Sequence, residues 1–334
     1  MKSLLTASLL SALPVAAAGQ VPPPIIDVHL HAQSADAQGP PPLGMCLPST
    51  SFGAASSGSS WGSEFLAGQK NPPCPDPVWS AETDGSLMEE TLAILERRNI
   101  IGVTSGLHRD EWQGRAPTRI IPGTRSFFNG VNPVPIDSMR ARFADERIRV
   151  FGEVTIQYAG VDPADPALEP YFALAEEMSI PVGIHVGPGP PGAPYLFAPR
   201  YRARLHSPLL YEEVLIRHPD LRLYLMHAGW PMLDDLLAVM WAHPQVYVGL
   251  GVISWALPPQ EFHRYLRTIV QAGFGDRVMF GSDHMVWPGA LEFAIDNIKS
   301  ADYLTDRQKR DILYNNAARF LQLSEEEIAA HHGR

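Results

Sequence analysis

Lysine is scarce in this chain: Lys2, Lys70, Lys299 and Lys309 are the only four in 334 residues. Arginine does not make up the difference, because Lys and Arg together number 26 against 36 Asp and Glu, a formal charge of −10. The charge becomes −11 without the first eighteen residues, whose only charged side chain is Lys2. No basic stripe forms. The one basic cluster, Arg200, Arg202 and Arg204, is too small to follow a phosphate backbone, which excludes a nucleic-acid partner. Long apolar runs are also missing. The stretch over residues 4–15 falls short of the roughly 20 residues that span a bilayer, and no other apolar uncharged run approaches that length. Cysteine is limited to Cys46 and Cys74, so at most one intrachain disulfide can form.

What is present at the N-terminus has the order of an export signal. Met1 and Lys2 supply a positive start, residues 4–15 an apolar stretch, and Ala16, Ala17 and Ala18 a small-residue cleavage site before Gly19. The expectation is a signal peptide over 1–18 and a mature chain that is periplasmic or secreted, with no stable membrane insertion after cleavage; an uncleaved anchor is the alternative. In an exported chain Cys46 and Cys74 are candidates for a disulfide that clips their shared irregular segment, or else two free thiols. The remainder, 45% apolar and 19% charged, suits one large globular domain.

The run Ile25-Ile26-Asp27-Val28-His29-Leu30-His31 then stands out. Strand geometry puts Asp27, His29 and His31 on one side and Val28 and Leu30 on the other. Two imidazoles stacked on a buried face need a consumer for their lone pairs, which a transition-metal ion supplies; two structurally satisfied histidines are the alternative. Three further apolar runs of strand length end in a metal-competent residue: His185, His227 and Asp283. Strand candidates lie at 25–31, 100–106, 126–131, 148–155, 181–186, 222–227, 246–252 and 278–283. Helical patterns begin near Ser86 and Asp137 and continue at about 166–178, 207–218, 231–242, 259–272, 289–299 and 306–322. Eight strands alternating with helices predict a (β/α)8 TIM barrel over residues 19–325, whose strand C-termini carry the site. Residues 33–80, rich in Gly, Pro and Ser, read as a long loop inserted after the first strand on the active-site side. Within it Gly58-Ser59-Ser60-Trp61-Gly62 matches a nucleophile motif by chance, with neither strand before nor helix after it. Residues 326–334 read as a tail that frays.

The order Asp27-x-His29-x-His31, His185, His227, Asp283 resembles the metal-dependent amidohydrolase superfamily, in its amidohydrolase-related branch, which includes decarboxylases of the aminocarboxymuconate-semialdehyde type. The resemblance covers about residues 25–325. It implies a divalent metal, Zn²⁺ by preference, held by His29, His31, His185 and Asp283, with His227 as a ligand or a substrate-polarising group. Many relatives bridge two ions with a carboxylated lysine on the fourth strand. None of the four lysines falls at a strand end, and the fourth strand offers Glu153 instead. Glu153 is either the bridge of a two-metal site or a carboxylate that orients a ligand histidine; Asp27 steadies the end of the first strand.

The reaction implied is hydrolysis of an amide, ester or lactone of a small molecule by an activated water, with Asp283 carrying protons. Decarboxylation of a small aromatic or unsaturated acid is the alternative on the same scaffold, and a binding protein without catalysis is a third. Trp112, Trp230, Trp255 and Trp287 fall just past strands, either lining the mouth or packing loops. Arg200, Arg202 and Arg204 are candidates for pairing with a substrate carboxylate, His284 and His108 for further site residues. His206, His218, His243 and His263 fall in helix or loop contexts and read as surface residues, His331 and His332 as tail. A homo-oligomer is left open.

Overall fold

Eight short parallel strands make the barrel: β1 Ile25–His31, β2 Ile100–Ser105, β3 Ile120–Pro122, β4 Phe151–Val154, β5 Val182–His185, β6 Leu223–Met226, β7 Val246–Gly249 and β8 Val278–Met279. The structure is a computed structural model and describes residues 22–125, 128–131, 133–145 and 147–333. The segment expected to be a signal peptide, 1–18, lies outside the described residues. β1, β2 and β3 pair in order, as do β4 to β8. The two groups join through backbone hydrogen bonds. Arg149 N–H donates to Pro122 and Thr124 N–H to Gly152 at one seam; Val28 N–H donates to Phe280 and Asp283 N–H to His29 at the other. The ring is therefore closed, and closure leaves no exposed edge.

Each strand is followed by a helix, in order Asp84–Arg97, Arg109–Arg115, Ile136–Asp145, Glu169–Glu177, Glu212–Arg217, Leu233–Ala242, Pro259–Ile269 and Pro288–Lys299. The strand residues are buried because helices cover the outside and side chains fill the inside. Ile26, Val28, Val103, Tyr224, Met226 and Met279 share one cluster with Tyr314 and Phe320 of the C-terminal helical stretch. Among the described residues no helix is long and apolar enough to cross a membrane.

Three expectations change. The third strand is Ile120–Pro122, not 126–131; of the expected segment, Phe128 makes only an isolated bridge to Val154, and 126 and 127 lie outside the described residues. Pro122, which lacks an N–H, still ends a strand because only its carbonyl is needed at the seam. The insertion is not structureless. It contains the helix Trp61–Lys70, an antiparallel pair of Gly44–Met45 with Val78–Trp79, and a disulfide between Cys46 and Cys74, Cα atoms 5.8 Å apart. A helix therefore does follow Ser60, which is exposed and has no strand before it. The tail does not fray either: Glu325–His331 is a helix opened by a Ser324–Glu327 capping box.

Candidate metal centre

The donors converge at the C-terminal end of the barrel. β1 delivers His29 and His31, whose Nε2 atoms stand 3.0 Å apart. A one-residue register shift between Asp27 and Leu30 interrupts the simple alternation of that strand. The His31 Nε2 lies 3.0 Å from Asp283 Oδ1 and 3.5 Å from Glu153 Oε2; the His29 Nε2 lies 3.7 and 3.6 Å from the same two oxygens. β5 delivers His185, with Nδ1 2.7 Å from Glu153 Oε1 and 2.9 Å from His227 Nε2. His227, just beyond β6, has its Nδ1 2.8 Å from the Gly251 carbonyl, which fixes that nitrogen as the N–H donor and leaves Nε2 facing the cluster. Three overlapping sets can each hold an ion: His29, His31 and Glu153; His29, His227 and Asp283; Glu153, His185 and His227.

All six side chains are buried. Burial pushes the His185 imidazole down to about 4, reinforced by His227, so it stays neutral with a lone pair to give. Burial would raise the Glu153 carboxyl, but His29 and hydrogen bonds from His185, His227 and His29 hold it well below the usual range. Burial likewise opposes ionisation of Asp283, and His29 and His31 outweigh it and lower its pKa. Two buried carboxylates therefore face four imidazoles, the nearest at hydrogen-bonding distance, while among the described residues His29 Nδ1 and His185 Nε2 have no hydrogen-bond partner. Four imidazoles crowded around paired anions out of water are a donor set that a cation can hold together. The residues fit a divalent metal ion.

Asp27 stands behind the donors: one carboxylate oxygen accepts from the backbone N–H of His29 and of Ser282, each at 2.9 Å. Ser105 Oγ lies 3.2 Å from His31 Nδ1. Space for the imidazoles comes from two glycines. A Cβ on Gly251 would sit 2.6 Å from His29 Nδ1, and one on Gly187 would sit 2.5 Å from the Cβ of His227. Sequence reading passed over Gly187, Gly251, Gln157 and Tyr158. The signal available was position alone, since all four lie within a few residues of a strand's C-terminal end. Gln157 grips the Gly187 backbone from both sides, Nε2 to its carbonyl at 2.8 Å and Oε1 to its N–H at 3.2 Å.

Other candidates fall elsewhere. His284 is buried, but its Nε2 lies 3.1 Å from Thr91 Oγ1 of the Asp84–Arg97 helix rather than among the donors. His108 sits half-buried between Ser34 and Asp84, 3.3 Å from each. Trp112, Trp255 and Trp287 are buried packing residues, the last two with indole N–H groups donated to Ser282 and Leu43 carbonyls, and Trp230 donates to Glu261. Arg200, Arg202 and Arg204 are exposed, and Arg202 donates to the carbonyls of Pro199 and Tyr201. Two of the histidines read as surface residues are in fact buried. His206 contacts Tyr201 and the Trp230 carbonyl, and His218 bridges Glu169 and Glu176 at 2.9 Å each. Short polar partners nearby make such burial affordable, and a helical pattern does not reveal them. His243 and His263 are partly buried, against Glu212 and Tyr303.

A sequence profile described as amidohydrolase matches residues 79–323, well over half of the chain. This chain belongs to the amidohydrolase family. Among solved structures similar to this amidohydrolase is 5-carboxyvanillate decarboxylase from Novosphingobium aromaticivorans, with manganese and 4-hydroxy-3-methoxy-5-nitrobenzoic acid bound. It is 13% identical at a TM-score of 0.56, over 91% of this chain and 97% of that one. A probable 2-pyrone-4,6-dicarboxylic acid hydrolase from Acinetobacter baumannii, with citric acid bound, is 13% identical at a TM-score of 0.55, over 90% and 99%. The IDCase of Metarhizium anisopliae is 15% identical at 0.53, over 91% and 98%. At these identities the likeness shows the barrel fold. No curated protein matches the chain. Amidohydrolase-superfamily members include both hydrolases and decarboxylases, as these names illustrate.

Proposed function

We propose that this amidohydrolase is a zinc-dependent hydrolase that cleaves an amide, ester or lactone of a small molecule, with Glu153 shared between two ions. The observation that carries this reading is the place of Glu153. Its Oε1 faces His185 and His227 and its Oε2 faces His29 and His31, at 2.7 to 3.8 Å. One carboxylate between two histidine pairs suits a bridge; an orienting role would need contact with a single ligand.

Ions held between Glu153 and the two histidine pairs, His29 with His31 and His185 with His227, would supply a Lewis acid and a nucleophile from water at neutral pH. The chain's own groups do the rest. Asp283, beside His31, accepts the proton released on attack and returns it to the leaving group. His227, its Nδ1 committed to the Gly251 carbonyl, turns Nε2 toward the cluster, which favours a ligand role over polarising substrate. Glu153 stays ionised through turnover because four histidines face it.

Metal analysis of purified protein tests the bridge, with two equivalents expected in wild type and at most one in Glu153→Gln. A single equivalent in wild type would remove the bridging role. Turnover of an ester and lactone panel in ¹⁸O water tests the reaction. Label in the carboxylate product is expected, and CO2 release without label would make the enzyme a decarboxylase instead. Asp283→Asn should lower kcat by about 10²–10⁴-fold with a smaller change in KM.

A further inference from the structure

The walls around the metal site are not all built by the barrel. Tyr158, four residues past β4, lies against the His185 imidazole with ring centroids 4.4 Å apart. Phe197 and Tyr201 pack on Tyr158 in turn, at 5.3 and 5.5 Å. Burial, with the Glu153 and Asp283 carboxylates nearby, keeps the Tyr158 phenol protonated well above its ordinary range. Tyr201 is pinned from below by its hydroxyl, which contacts His206 and donates to the Gly187 carbonyl. Phe197 has no such anchor. It is 61% exposed and ends a segment, 188–197, whose only regular element is the single turn Ala193–Leu196.

The insertion after β1 reaches across to that segment. Trp61 opens the helix Trp61–Lys70 and donates its indole N–H to the Pro191 carbonyl at 2.7 Å. The indole rests directly on Gly192, which has φ +76°; a Cβ there would lie 2.0 Å from Trp61 Nε1. A Cβ on Gly62 would come within 3.7 Å of Leu196 and 4.0 Å of the Tyr195 carbonyl. The helix has no fully buried residue, and Leu66 is the side chain it packs on the core, so its hold there is slight. Its loop is closed by the bond between Cys46 and Cys74 and tied down by Lys70, which donates to the Pro42 carbonyl at 3.0 Å.

We propose that Trp61 is a positioning residue for the outer wall of the metal site: it holds residues 188–197 so that Phe197 closes on Tyr158 above His185, and the Cys46–Cys74 bond keeps Trp61 in place. A wall of packed rings, tilted on Tyr158 except for the stacked Tyr201, selects for substrates with a flat unsaturated ring next to the reacting group, since ring pairs gain from offset or edge contact. The selectivity rests on the metalloenzyme reading, whereas the positioning does not.

Two measurements separate these. Amide hydrogen exchange on the full chain, without added metal, should be faster over 188–197 in Trp61→Ala and unchanged in the barrel strands. Trp61→Phe, which keeps a ring against Gly192, should restore most of the protection, and reduction and alkylation of wild type should reproduce the alanine variant. On the zinc-loaded protein, Trp61→Ala should weaken benzohydroxamate about tenfold and leave acetohydroxamate within about twofold. Unchanged exchange over 188–197, or equal weakening of both hydroxamates, overturns the proposal. Failure to take up zinc counts against the hydrolase reading alone, and the exchange experiment still decides this one.

Discussion

His185 and His284 show how little residue type alone decides. Each ends or follows a barrel strand, each is buried, and burial lowers both imidazoles, to about 4 and about 3. One meets Glu153 and His227 inside a cluster that could hold a metal ion; the other meets Thr91 outside it. The alternating Asp27, His29 and His31 were legible in the sequence because strand period alone groups them. Glu153 was legible as a carboxylate at a strand end, but not its choice between bridging and orienting, which depends on which histidines face each oxygen. Tyr158 and Gln157 were not legible, because their partners are a ring and a backbone 27 to 30 residues away. Asp27 carries a pH prediction. Burial raises its carboxyl from 3.8 to about 6, opposed by Ser282 and His29. A carboxyl whose pKa is raised on folding favours the native state below its unfolded pKa, and that contribution is lost as pH rises through the folded value. In metal-free protein this costs on the order of 3 kcal/mol between pH 4 and 6. Thermal unfolding of chelator-treated wild type and Asp27→Asn should therefore converge near pH 4 and separate above it, with the variant gaining. Parallel curves across that window would show that Asp27 does not titrate there.

Strands and turns set what those residues can reach. Seven of the eight expected strands overlap those of the structure, three of them (ending in His185, His227 and Asp283) marked by an apolar run that ends in a polar residue before Gly or Pro. The third does not, because Ile120–Pro122 is too short to show a period and its pairing partners lie on β2 and at the β4 seam. The insertion's helix was hidden for a related reason: its apolar stripe is only Trp61, Phe65 and Leu66, partly buried and set in a Gly- and Ser-rich stretch. Turns matter as much as strands at the site. Gly187 follows β5 with φ +150°, and a Cβ would press on that of His227 at 2.5 Å, where neither atom can swing away. Gly187→Ala should combine overpacking of about 1–3 kcal/mol with displacement of His227. The expected result is a lower Tm together with at least tenfold weaker zinc binding in a chelator competition. Wild-type affinity with a lowered Tm would mean that His227 is not a ligand.

The two ends of the barrel divide the labour of the whole molecule. The donors occupy the end where strands finish, as in other barrels of this class. The opposite end is closed by the C-terminal chain. Arg222, just before β6, donates to the Phe320 carbonyl, and Asn99, just before β2, donates to His331 and Pro22 carbonyls. Arg149, ahead of β4, pairs with Glu327 at 2.9 Å, and the Tyr314 hydroxyl lies 3.0 Å from His331 Nδ1. Helix Glu325–His331 buries no residue of its own, and its hold includes a few hydrogen bonds, one exposed ion pair and the edge contacts of His331 and His332 with the Tyr314 ring. Such contacts contribute about 0.5–1.5 kcal/mol for a hydrogen bond and up to about 1 for an exposed pair. Deleting residues 324–334 should therefore lower Tm by roughly 2–6 °C, given about 2–4 °C per kcal/mol in a large domain. Zinc stoichiometry and affinity should stay at wild-type values, because no donor touches that end. Loss of zinc in the truncated chain would show that the two ends are coupled, and an unchanged Tm would reduce the helix to an appendage.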